Sequence, residues 1–84
     1  MSGETEVVVY TQPHCGPCRM VERFLQESGV PYVTRDVTRD ADALNDLTER
    51  GFMATPVTRV GTQWVAGFSR DELRRALADS EDAR

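Results

Sequence analysis

Val7-Val8-Val9-Tyr10-Thr11-Gln12-Pro13-His14-Cys15-Gly16-Pro17-Cys18 is the stretch on which the reading of this chain turns. Val7–Tyr10 is an unbroken run dominated by β-branched residues, which suits a strand covered on both faces. Thr11–Gly16 reads as a loop, and Pro17 is a good residue for the first turn of a helix. From Cys18 onward Met20, Val21, Phe24 and Leu25 recur at helical spacing, until Gly29 stops the run. The two cysteines therefore fall at a strand-to-helix junction.

Outward from that junction the elements alternate. Residues 31–37 read as a second strand. Thr38 or Asp40 can cap a second helix, with Ala43, Leu44, Leu47 and Phe52 near its apolar stripe and Gly51 at its end. Val57–Val60, Gly61-Thr62 and Gln63–Ala66 make a β-hairpin. Ser69 and Glu72 form a capping-box pattern ahead of a last helix whose buried side is Leu73, Ala76 and Leu77. The order is β-α-β-α-β-β-α. The first βαβ unit should be parallel and right-handed, and the hairpin must lie beside the first strand to shield it. The expectation is one α/β domain over residues 1–84, a four-stranded mixed sheet with helices on both faces. Its ordered core is expected over about residues 5–78, with frayed polar ends at 1–5 and 79–84.

Composition narrows the function. A chain of 84 residues buries only a little over about 60 % of its unfolded surface, so the chemistry must sit at the surface on few residues. The net charge of −4 offers no general attraction for phosphate backbones or anionic lipid. Nucleic acid and membrane are not expected partners. The first residues carry neither a basic start nor an apolar stretch of signal-peptide length, so the protein is expected in the cytoplasm, where thiols are kept reduced.

Cys15 should lie just before the helix, where unpaired N–H groups and the positive dipole end stabilise an anion. A thiolate is that anion, so the Cys15 pKa is expected below the free value of about 8.5. Cys18, inside the first turn, can reach the Cys15 sulfur but is more enclosed, which makes Cys15 the attacker and Cys18 the resolver. Gly16 allows close approach of a partner's backbone and Pro17 fixes φ. His14 and Arg19 add positive character, and no carboxylate lies between Val7 and Arg19. A purely structural disulfide is disfavoured. So small a loop gives roughly 2 kcal/mol, against about 3 for a 15-residue loop. A structural zinc site needs four ligands, and Cys15, Cys18 and His14 supply too few.

Residues 7–18, together with Ala54-Thr55-Pro56-Val57 and Ala66-Gly67-Phe68, resemble the glutaredoxin family. The likeness runs from about Val7 to Leu77, with the three motifs in the family's order. It implies a thioredoxin fold in which Pro56 is a cis-proline facing the cysteine pair. It also implies that Thr55 and Pro56 bind the substrate through main chain rather than side chain, with Gly67 and Phe68 nearby. Tyr10, His14 and Arg70 are candidate supporting residues. Gly51-Phe52, Pro56-Val57 and Gly67-Phe68 are similar to NrdH-redoxins, glutaredoxin-sized proteins that take electrons from thioredoxin reductase and pass them to ribonucleotide reductase. Gly16-Pro17 is instead the thioredoxin spacer. Thioredoxin poises near −270 mV, so the analogy points to a reductant.

Gln12 stands where glutathione-using members carry a basic residue, which makes low-molecular-weight thiols secondary. Trp64 and Phe68 read either as core packing or as an apolar rim that docks a partner. The expectation is a monomeric thiol–disulfide oxidoreductase without bound cofactor or metal. It would be recharged by thioredoxin reductase and would act on protein disulfides such as that of ribonucleotide reductase. A glutathione- or mycothiol-dependent glutaredoxin is the alternative within the same chemistry. A module binding a bridged iron–sulfur cluster is the alternative from another class.

Overall fold

A computed structural model describes residues 6–82, with side chains through residue 79. The elements run β1 (Val7–Thr11), α1 (Gly16–Glu27), β2 (Val33–Asp36), α2 (Ala41–Glu49), β3 (Val57–Val60), β4 (Gln63–Ala66) and α3 (Arg70–Asp82). They form one sheet in the order β2-β1-β3-β4. β1 is parallel to β2, while β3 is antiparallel to both β1 and β4. This is the expected mixed sheet with the hairpin lying against β1.

β1 is central, which explains its lack of alternation. Val7 and Val9 face a core shared with Val21, Phe24 and Leu25 of α1 and Leu73 and Ala76 of α3. Val8 and Tyr10 face the other core, with Ala43 and Leu47 of α2, Val37 and Val57. Each fully buried aliphatic side chain contributes about 1.5–3 kcal/mol, so β1 anchors both layers at once. Among the described residues, no helix is long and apolar enough to cross a membrane.

Two helix ends determine where the site loops leave the core. After α1, the Gly29 N–H bonds the Gln26 carbonyl at 3.1 Å and the Val30 N–H bonds Leu25 at 2.9 Å. After α2, Gly51 and Phe52 repeat the pattern onto Thr48 and Leu47, at 3.0 and 2.9 Å. Both are Schellman ends, which need a residue with positive φ: Gly29 has φ 69° and Gly51 has φ 81°. The hydrophobic contact that accompanies such an end is Phe52 packed in the same cluster as Leu47.

Several expectations change in detail. Asp40, not Thr38, caps α2, its carboxylate accepting from the Ala43 N–H at 3.1 Å. Thr38 instead donates its N–H to Asp36 in a side-chain-closed turn. β2 is shorter than residues 31–37: it covers Val33–Asp36, and the turn closed by Asp36 follows it. Leu44 is not part of the α2 stripe: it is 48 % exposed. α3 continues through Asp82 instead of fraying at residue 79. Once its packed first turns exist, each further residue adds a hydrogen bond at little cost. Residues 1–5, 83 and 84 lie outside the described residues.

Candidate active site

Cys15 is the N-cap of α1, with extended backbone, and its Sγ accepts the Cys18 N–H at 3.2 Å. That bond satisfies one of the orphan donors every helix start presents. Cys15 and Cys18 are joined by a disulfide, their Cα atoms 5.2 Å apart. The two cysteines are not equally open: Cys15 is 8 % exposed and Cys18 only 1 %. Helix geometry decides this, because Cys18 already points inward with Val21 and Leu25 while Cys15 still belongs to the loop.

Facing this edge, the Thr55–Pro56 peptide bond is cis. The Thr55 hydroxyl donates to Cys15 Sγ at 3.7 Å. The Pro56 carbonyl accepts the Gly67 N–H at 2.8 Å, which continues the β3–β4 pairing by one step and brings the Gly67 turn beside the proline. Cys15, Cys18, Thr55, Pro56 and Gly67 therefore form one edge at the top of the sheet. Gly16 and Pro17 lie exposed on the first turn of α1. The side-chain contact from Thr55 had no signal in the sequence, since it depends on how the loop after α2 turns back. Its main-chain role in substrate binding is an expectation from the family resemblance.

The remaining candidates go elsewhere. Tyr10 is buried on the α2 face, its hydroxyl donating to Asp46 at 3.2 Å. Trp64 lies on the same face, its ring centroid 5.6 Å from Tyr10 and 5.8 Å from Phe52, with the Arg50 guanidinium 4.4 Å above it. Phe68 packs on the opposite face, against the α1–α3 core, and Arg70 lies 5.9 Å over its ring. Trp64 and Phe68 thus sit on different faces of the sheet and do not form a shared rim around Cys15. His14 is exposed, with a left-handed backbone of φ 63°. Among the described residues no three His, Cys, Asp or Glu side chains are grouped as a metal site would need.

The clearest electrostatic shifts belong to ion pairs that hold the scaffold. Arg35 and the Ala43 N–H hold the Asp40 carboxyl below the usual carboxylate range, and Arg35 is itself raised by the same pairing. Hydrogen bonds from Thr38 lower Asp36. Arg59 is raised by its bond to Glu6.

A disulfide capping a helix that packs on a β2-β1-β3-β4 sheet, opposite a cis-proline, defines a thioredoxin-fold redox protein. Residues 7–65 match the family model described as Glutaredoxin. The chain belongs to the glutaredoxin family, whose members are thiol–disulfide oxidoreductases. It is similar to NrdH-redoxin from Escherichia coli, with a TM-score of 0.79 and 27 % identity covering 83 % of this chain and 92 % of that one. It is also similar to the thioredoxin-like protein BC3987, with a TM-score of 0.80 and 38 % identity over 86 % of this chain and all of that one. A third relative is the Gene 56 protein of Mycobacterium phage D29, 46 % identical over 39 residues. That match spans 46 % of this chain and only 43 % of the phage protein.

Proposed function

We propose that this chain is a cytoplasmic reductant of protein disulfides, with Cys15 as the attacking thiolate and Cys18 as the resolving thiol. One observation carries the reading: Cys15 is the more open residue of the pair and its sulfur receives two hydrogen bonds, from the Cys18 N–H and the Thr55 hydroxyl. In the reduced protein the same donors meet a thiolate, and donors aimed at a charged acceptor are worth roughly twice those aimed at a neutral one. Cys18, enclosed and three residues on, is held within reach of that sulfur.

The reaction proceeds in two exchanges. The Cys15 thiolate attacks one sulfur of the target disulfide, and the other target sulfur leaves as a thiolate. Cys18, losing its proton, then attacks Cys15 Sγ. The bond between Cys15 and the target sulfur it attacked breaks, that sulfur leaves as a thiolate, and the Cys15–Cys18 disulfide forms. Two electrons pass from the protein to its target. Recharging reverses the steps, and the reading assigns it to thioredoxin reductase, with ribonucleotide reductase as a target. The similarity to NrdH-redoxin and the thioredoxin-type Gly16-Pro17 spacer support this choice.

Alkylation of the reduced protein near neutral pH should modify Cys15 first, and prior modification of Cys18 would sink the assignment. Cys18→Ser should accumulate the mixed disulfide with a target, whereas Cys15→Ser should lose about three orders of magnitude or more in turnover. The donor is tested by supplying the oxidised protein with NADPH and thioredoxin reductase, or with glutathione and its reductase. Efficient turnover with the second system alone would overturn the donor assignment.

A further inference from the structure

All ten basic side chains of this chain are arginines, and three of them converge on one cavity of about 380 Å³ on the α2 face of the sheet. Arg35 comes from β2, Arg59 from β3, and Arg50 from the end of α2. Tyr10, Asp46 and Trp64 bring them together. Asp46 Oδ2 accepts from the Tyr10 hydroxyl at 3.2 Å and from Arg35 at 3.1 Å, and the Asp46 carbonyl accepts from Arg50 at 3.2 Å. Arg59 is the cross-strand partner of Trp64, whose ring lies 4.4 Å beneath the Arg50 guanidinium. The hairpin turn Gly61-Thr62 completes the lining, and none of Cys15, Cys18, Thr55, Pro56 or Gly67 belongs to it.

Three guanidinium groups stand against one carboxylate, so the lining holds two positive charges in excess within a chain of net charge −4. Two carboxylates outside the cavity offset part of this: Asp40 pairs with Arg35, and Glu6 reaches Arg59 at 3.0 Å. The Glu6 side chain is 67 % exposed, so that pair is weak and easily exchanged. Among the described residues Arg50 has no carboxylate partner.

We propose that this cavity binds a small molecule bearing two or more phosphates, held by Arg50 and Arg59. Asp46 is already satisfied by Tyr10 and Arg35, which leaves these two arginines as the available donors. Each guanidinium carries five N–H donors. Arg50 uses one of them on the Asp46 carbonyl, and Arg59 uses two, on the Gly61 carbonyl and on Glu6. A planar carboxylate is matched by a single guanidinium fork, whereas a phosphate presents oxygens in several directions and can accept from forks on separate elements. The volume lies in the range of about 300–1,000 Å³ typical of small-molecule sites. Trp64 and the Thr62 hydroxyl remain to meet whatever the phosphates are attached to. Glu6 is the internal competitor, displaced from Arg59 as the phosphate enters.

The inference is independent of the disulfide-reductase reading, and its test uses the oxidised protein, in which neither cysteine is a free thiol. Trp64 is the chain's single tryptophan, so its fluorescence reports on the cavity directly. Inorganic pyrophosphate, ADP and citrate are titrated at low ionic strength, with the heat of binding measured in parallel. Pyrophosphate and ADP should both bind saturably and shift the Trp64 emission. Tighter binding of ADP would identify the ligand as a nucleoside diphosphate, and equal binding would identify the diphosphate group alone. Arg50→Gln, an exposed position at a helix end, should weaken pyrophosphate binding about tenfold. Glu6→Gln should tighten it about threefold by freeing Arg59. The site is overturned if neither phosphate binds, if citrate binds as tightly as pyrophosphate, or if Arg50→Gln leaves the affinity unchanged. A Glu6→Gln variant that binds no tighter would overturn the role given to Arg59.

Discussion

The two faces of the sheet are built by different physics. On the face covered by α1 and α3, Val7, Val9, Val21, Leu25, Val60, Val65 and Leu73 pack with little polar content. On the face covered by α2, the core is smaller and is rimmed by directional contacts. The Tyr10 hydroxyl and the Arg35 guanidinium both reach Asp46, Arg35 also grips Asp40, and Arg50 lies over Trp64. Each face carries one half of the redox edge. The apolar face fixes α1, and hence the cysteines. The polar-rimmed face fixes α2, and hence the loop that returns through Phe52 to Thr55 and Pro56. Burial holds the reacting pair rigidly, and oriented bonds aim the segment that meets its substrate.

That contrast can be broken most severely from the apolar side. Leu25 is fully buried, and Leu25→Ala should cost about 3 kcal/mol, read as a lower urea midpoint. Tyr10→Phe, which removes one hydrogen bond to a half-exposed carboxylate, should cost about 1 kcal/mol or less in the same assay. Equal losses would show that the two faces do not differ as described. Gly51→Ala places a β-carbon on a φ of 81°, with open space around it, so the penalty is backbone strain of about 1–2 kcal/mol. Because Gly51 ends α2 and starts the return loop, reduction of a polypeptide disulfide should also slow in this variant, while the Cys15 alkylation rate changes less.

A gain is expected on the apolar face. Thr58 is fully buried opposite Val9 and Val65, and its hydroxyl has no hydrogen-bond partner among the described residues. Thr58→Val keeps the shape and removes the unpaired group, so thermal unfolding should show a stabilisation of about 1 kcal/mol.

The smallest effect is the pH dependence of the α2 rim. Asp40 is held below its ordinary pKa by Arg35, so its contribution is complete at neutral pH. It is lost as the pH falls below about 4 and the folded carboxylate takes up its proton. Asp40→Asn should flatten the acid limb of the stability profile, by an amount that shrinks with added salt because the pair is partly exposed. An unchanged acid limb would remove the rim from the account of what holds α2.

Much of this was legible from local rules. The unbroken Val7–Tyr10 run marked a central strand, Pro17 a helix start, and Gly29 and Gly51 the helix ends. The Cys15–Cys18 spacing placed one sulfur at the cap and the other inside the first turn. Leu44 alone misled the α2 stripe, because its spacing places it beside Ala43 and Leu47 although it stays exposed. Phe52 lies beyond α2 and packs back through the helix-end contact with Leu47. Leu44, which the periodicity placed inward, is half exposed instead.

By itself the sequence determined the order of elements, the redox pair and the unequal roles proposed for the two cysteines. All of these depend on residues within a few positions of one another. Tertiary structure alone decided which distant groups meet. It brought the Thr55 hydroxyl to Cys15 across 40 positions and separated Trp64 from Phe68 by the thickness of the sheet. Such contacts follow from strand order and from the path of the loop after α2, and local residue patterns carry neither.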